Sequence, residues 1–85
     1  MLLIVNLSSR GESFPVEAFE QVDMVLAKAG FKKEVRSVVK PGKEFSATYE
    51  GPDSDKAYLE AALRPISEKN EINISVESEE SVRFP

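Results

Sequence analysis

Six of the eleven Lys and Arg residues fall between Lys28 and Lys43, in an 85-residue chain whose formal net charge is −4. Within that stretch "GFKKEVRSVVKPGK" (30–43) interleaves Lys32, Lys33, Arg36, Lys40 and Lys43 with Val35, Val38 and Val39. Such a cluster of cations can hold phosphate, meet an acidic protein surface, or keep a sheet edge from pairing with other edges. The remaining chain is acidic on both sides of it.

Other chemistry is narrowed by what the chain lacks. With no histidine, no side chain has an ordinary pKa near 7, so proton transfer at neutral pH would need a retuned Asp, Glu, Lys or Tyr. With no cysteine either, Ser–His and Cys–His nucleophile pairs, disulfides and thiolate metal sites are excluded. The absence of cysteine fits a reducing cytoplasm, which is the expected location. "MLLIVNL" (1–7) is the longest apolar run, far short of a spanning helix and without the basic flank of a leader, so no membrane association or processing is expected.

Three shorter motifs invite a site and read more simply as structure. "NLSSRGES" (6–13) follows an apolar run, so Ser8, Ser9 and Arg10 are candidate anion-binding residues at a strand-to-helix loop. Its single glycine is far from a phosphate-loop signature. "DSD" (53–55) resembles the start of a calcium loop, but Tyr58 stands where glycine is required, and helix capping by Asp53 explains it better. "ESEES" (77–81) reads as a solvated strand end. No catalytic residue, metal ligand or cofactor is predicted.

The elements that must position these residues follow from periodicity. "LLIVNL" (2–7) is a buried central strand. Pro15 suits a helix's first turn, and Phe19, Val22, Leu26 and Ala29 form a helical stripe ended by Gly30, with Phe31 folding back on the last turn. Strands are predicted at 31–39 and 43–50, the second with Phe45, Ala47 and Tyr49 on one face. A second helix carries Leu59, Ala62, Leu63 and Ile66, with a kink or new turn at Pro65. "INISVE" (72–77) turns Ile72, Ile74 and Val76 inward. The order βαββαβ, with right-handed crossovers, predicts one ferredoxin-like α+β domain over residues 1–85: a four-stranded antiparallel sheet with two helices on one face.

The hairpin fixes where the cations go. A two-residue loop at Pro41–Gly42 would place Arg36 beside Ala47, under the helices. A shift of one residue sets Val35 and Val39 beside Phe45 and Ala47 instead, so an odd loop or bulge is predicted at Lys40–Lys43. Lys32, Arg36 and Lys40 would then line the helix-free face about 13 Å apart. Three phosphate contacts give a salt slope of only roughly −2 to −3, and that face offers no aromatic for base stacking. Nucleic acid therefore ranks behind an acidic protein partner or a second copy, with Lys32, Arg36, Lys40 and Lys43 as the partner-binding residues. The tail "SVRFP" (81–85) is expected to pack on the chain's own core.

The sequence of elements, a first helix ending in "AGF", a strand "FSATYEG" and a last strand running into "ISVESEESVRF" together resemble the GhoS-type endoribonuclease antitoxins. That resemblance implies cleavage of single-stranded RNA by a small, often dimeric, cytoplasmic regulator. It carries no catalytic residue onto this chain: the related CRISPR-associated nucleases place a carboxylate at the end of the first strand, where Asn6 stands here. Arg10 or Arg36 would at most stabilise phosphate charge. The leading expectation is thus a small non-catalytic regulatory or adaptor protein acting through its basic edge strand, with the antitoxin as the alternative.

Overall fold

The structure, a computed structural model, describes residues 1–78. The expectations for Glu79, Glu80 and the tail 81–85 lie outside the described residues. Six elements follow in the expected order: β1 (Leu2–Ser9), α1 (Glu17–Lys28), β2 (Lys32–Lys40), β3 (Glu44–Glu50), α2 (Lys56–Asn70) and β4 (Ile72–Ser78). The strands form one antiparallel sheet in the order β2-β3-β1-β4, which is the ferredoxin-like arrangement predicted.

The core lies between one sheet face and the two helices. Leu3, Val5 and Leu7 of β1, Ala47 and Tyr49 of β3, and Ile72 and Val76 of β4 alternate inward, because side chains on a strand alternate between faces. They meet Ala18, Val22 and Leu26 of α1 and Leu59, Leu63 and Ile66 of α2. The stripes at three- and four-residue spacing are what direct each helix onto the sheet.

Helix ends follow local chemistry. At the end of α1 the Phe31 amide donates to the Leu26 carbonyl at 2.9 Å and the Gly30 amide to the Ala27 carbonyl at 3.0 Å. This is a Schellman closure, and Gly30 takes the φ of +95° that it demands. Phe31 is then buried, as predicted. At α2 the cap is Asp55, whose Oδ1 accepts from the Ala57 amide at 3.0 Å, rather than Asp53. Pro65 does not interrupt α2. It lies on the exposed side, so the carbonyl it leaves without an intrahelical partner faces water.

Candidate functional site

Strand β2 is the edge of the sheet, and all nine of its residues are exposed. The hairpin loop has the odd length expected, Pro41–Gly42–Lys43, with the Lys43 amide donating to the Lys40 carbonyl at 2.9 Å and Gly42 at φ +72°. On its own that loop would pair Val39 with Phe45. A bulge between Val38 and Lys40 takes the shift back, so Val38 pairs with Phe45, Arg36 with Ala47 and Val35 with Thr48. A second bulge between Lys33 and Val35 sets Lys33 opposite Tyr49 and takes Glu34 out of the pairing.

The predicted facing of β2 is therefore corrected. Arg36 lies on the helix side with Ala47, and Val35 and Val39 are each 56% exposed. Burial of cations had argued against this register, but the end of a sheet is only partly roofed by α1. A cation there keeps contact with water and can find a partner on the helix flank. The partner is Asp23. Its Oδ2 lies 3.2 Å from an Arg36 guanidinium nitrogen and 3.4 Å from Lys33 Nζ, and its Oδ1 accepts from the Tyr49 hydroxyl at 2.5 Å.

Beneath this carboxylate lies an aromatic cluster. Phe14, Phe19 and Phe45 have ring centroids 4.7–5.0 Å apart, one pair stacked and two edge-to-face. The Arg36 guanidinium carbon sits 4.1 Å from the Phe19 centroid, a cation–π contact. Burial and then the neighbouring Asp23 carboxylate push the Tyr49 phenol above its ordinary value, with Arg36 drawing it the other way. Asp23 joins α1 to both β2 and β3. Sequence reasoning missed it, although Asp23 stands one turn beyond Phe19 on α1, and the pairing of these two positions was the available signal.

The other side of the sheet is open. Lys32, Val35, Ser37 and Lys40 of β2 share it with Glu50, Thr48, Ser46 and Glu44 of β3 and with Leu2, Ile4, Asn6 and Ser8 of β1. Lys40 reaches Glu44 only at 3.7 Å with both side chains exposed. Of the predicted partner-binding residues, Lys32 and Lys40 keep the expected face, Arg36 changes sides, and Lys43 holds the loop after β1 through a bond from its Nζ to the Gly11 carbonyl at 3.1 Å.

The candidate anion-binding residues do not converge. Ser8 lies on the open face, beside a shallow hollow of about 290 Å³ that Val39 also lines. Ser9 Oγ accepts from the Gly11 amide at 3.0 Å and donates to the Ser13 carbonyl at 2.9 Å. Arg10 donates to the Ser67 carbonyl at 3.2 Å, in the last turn of α2, where that carbonyl also accepts from the Glu71 amide and a cation suits the helix dipole. Among the described residues, no three His, Cys, Asp or Glu side chains gather as metal ligands, and no helix is long and apolar enough to cross a membrane.

Sheet order, helix placement and open face define a ferredoxin-like plait, and that is where similarity to known proteins is found. No protein-family model matches the chain, and no curated protein matches it by sequence. Among solved structures, an ACT domain protein from Streptococcus pneumoniae is similar at 16% identity and a TM-score of 0.77, over 100% of this chain and 97% of that one. The formyltetrahydrofolate deformylase from Burkholderia mallei ATCC 23344 is similar at 14% identity and a TM-score of 0.73, over 91% of this chain. Its counterpart from Pseudomonas putida KT2440 gives 16% and 0.68, over 92%. This chain spans only 28% and 29% of the length of those two enzymes. At such identities the likeness is one of fold.

Proposed function

We propose that this chain is a single-domain, non-catalytic regulatory or adaptor module that works by protein–protein contact, adding a partner's strand to the outer edge of β2. The observation that carries this reading is the state of β2: among the described residues no strand pairs with its outer backbone edge, and all nine of its residues are exposed. Strand addition draws its affinity from main-chain hydrogen bonds and its selectivity from alternate side chains. Val35 is the apolar anchor, with Val39 just beyond the contact and Lys32 and Lys40 as the rim that an acidic partner meets. The two bulges restrict regular pairing to the short window Val35–Val38, which favours a short, specific contact over open-ended aggregation.

Two further points support it. The same fold serves as nearly the whole of an ACT domain protein and as less than a third of two deformylase chains, as expected of a module rather than a self-sufficient catalyst. Among the described residues the one strongly perturbed titratable group, Tyr49, is held inside the fold by Asp23.

The test places a photo-crosslinking amino acid at Ser37 on the free edge, and in a second protein at exposed Asn73 on the opposite edge, in the cells that make the chain. The expected result is a discrete protein adduct from position 37 that is lost with Val35→Asp, and none from position 73. No adduct at 37, or equal adducts at both positions, refutes the proposal.

A further inference from the structure

The outer seam between the two helices is apolar where a solvated surface would be polar. One hollow of about 330 Å³ is lined by Gln21, Met24, Val25, Lys28, Pro65, Ile66 and Lys69. A second of about 170 Å³ is lined by Val25, Lys28, Ala29, Tyr58, Leu59 and Ala62, so the two share Val25 and Lys28 and form one groove. Met24 is 60% exposed and Tyr58 63%, the largest apolar side chains left to solvent on the helical layer.

The charges along this groove are all of one sign. Lys28 closes the last turn of α1 and Lys69 the last turn of α2. The Asn70 amide donating to Gln21 Oε1 at 2.8 Å shows that the end of α2 lies beside the early part of α1, so the helices run in opposite directions. Lys69 therefore stands at the far end of the first hollow, and Lys28 where the first hollow meets the second. From Gln21, beside Lys69, to Lys28 is seven residues of helix, about 10 Å. Neither lysine has a partner among the described residues, and no carboxylate lines either hollow, in a chain of net charge −4.

We infer that this groove is a second docking site and that it receives an acidic amphipathic helix from a partner protein. Carboxylates seven residues apart on such a helix span the same distance of about 10 Å. They meet Lys28 and Lys69, while the apolar residues between them cover Met24 and Val25, and those beyond Lys28 reach Tyr58. Opposite charge at these two points fixes where the helix sits along the groove and rejects a basic one. This site lies on the layer opposite the open sheet face and does not depend on the β2 contact, so each reading can fail alone.

The probe is a stapled helical peptide of about four turns, with a leucine stripe between two glutamates seven residues apart, compared with the same peptide carrying lysines in their place. Anisotropy titrations use the whole chain, with Lys28→Glu/Lys69→Glu and Met24→Asp as variants; all three positions are exposed, and circular dichroism verifies folding. The acidic peptide should bind at least about tenfold more tightly than the basic one, a difference of roughly 1.4 kcal/mol. The double charge reversal should invert that preference, and Met24→Asp should weaken both peptides. Equal affinities, or binding indifferent to the lysines and to Met24, overturns the inference. So does sedimentation showing a self-associated chain that Met24→Asp dissociates, since the occupant is then a second copy.

Discussion

The two sides of strand β2 have nearly the same composition and opposite uses. On the helix side, Lys33 and Arg36 converge on Asp23, and Arg36 covers Phe19. On the open side, Lys32 and Lys40 face exposed or half-exposed glutamates across the strand, and Val35 is left in water. Cations at equivalent places in one sequence pattern are thus consumed by the fold in one case and left available in the other. A half-buried carboxylate beside an aromatic surface makes the difference. Exposed ion pairs alone hold little.

The comparison breaks most visibly at the aromatic floor. Phe19→Ala should destabilise the chain by about 3 kcal/mol, the low end for losing a phenylalanine, because Phe19 is only partly buried. It removes the ring beneath Arg36 and two of the three ring contacts; chemical denaturation at pH 7 reads the loss. Asp23→Ala should cost about 2 kcal/mol, since a hydrogen bond to a charged group is lost and the buried Tyr49 hydroxyl is left without an acceptor.

Alkali sharpens the same contrast. The Tyr49 phenol is raised above its ordinary value of 10.0, so above that pH the unfolded chain releases this proton while the folded chain retains it. The folded state then binds more protons, and stability falls as pH rises past 10. Tyr49→Phe should remove most of that decline while leaving the shape of the curve below pH 9 unchanged, as measured by thermal melts across the range. On the open side the effect is smallest: Val35→Thr should change stability by less than about 0.5 kcal/mol.

How much of this the sequence revealed depends on the range of the forces involved. The strands, the helical stripes and the Gly30–Phe31 closure were legible because alternation, the 3.6-residue repeat and left-handed glycine are local signals. The inward sets Phe45–Ala47–Tyr49 and Ile72–Ile74–Val76 were equally plain. The facing of β2 was not, because two bulges each move the pairing by one residue, and no Gly or Pro within 32–40 marks either. The odd loop was anticipated correctly, and the adjoining bulge then cancelled its consequence. Asp23 escaped notice because its importance arises only when α1 is laid over β2, a tertiary fact. Capping by Asp55 rather than Asp53, and the passage of α2 through Pro65, were decided by helix phase and by which side faced water.

The most direct test compares two paired neutralisations of one strand, Lys33→Gln/Arg36→Gln on the helix side and Lys32→Gln/Lys40→Gln on the open side. Each removes two positive charges, so the net charge of the two variants is identical. Loss of the cation–π contact and the Asp23 pairs should cost the first about 1.5 kcal/mol, lowering its melting temperature by roughly 8 °C. The second should melt within about 2 °C of the parent. Equal shifts in the two variants, or a larger one from Lys32 and Lys40, would contradict the assignment of one side of β2 to the fold and the other to contact.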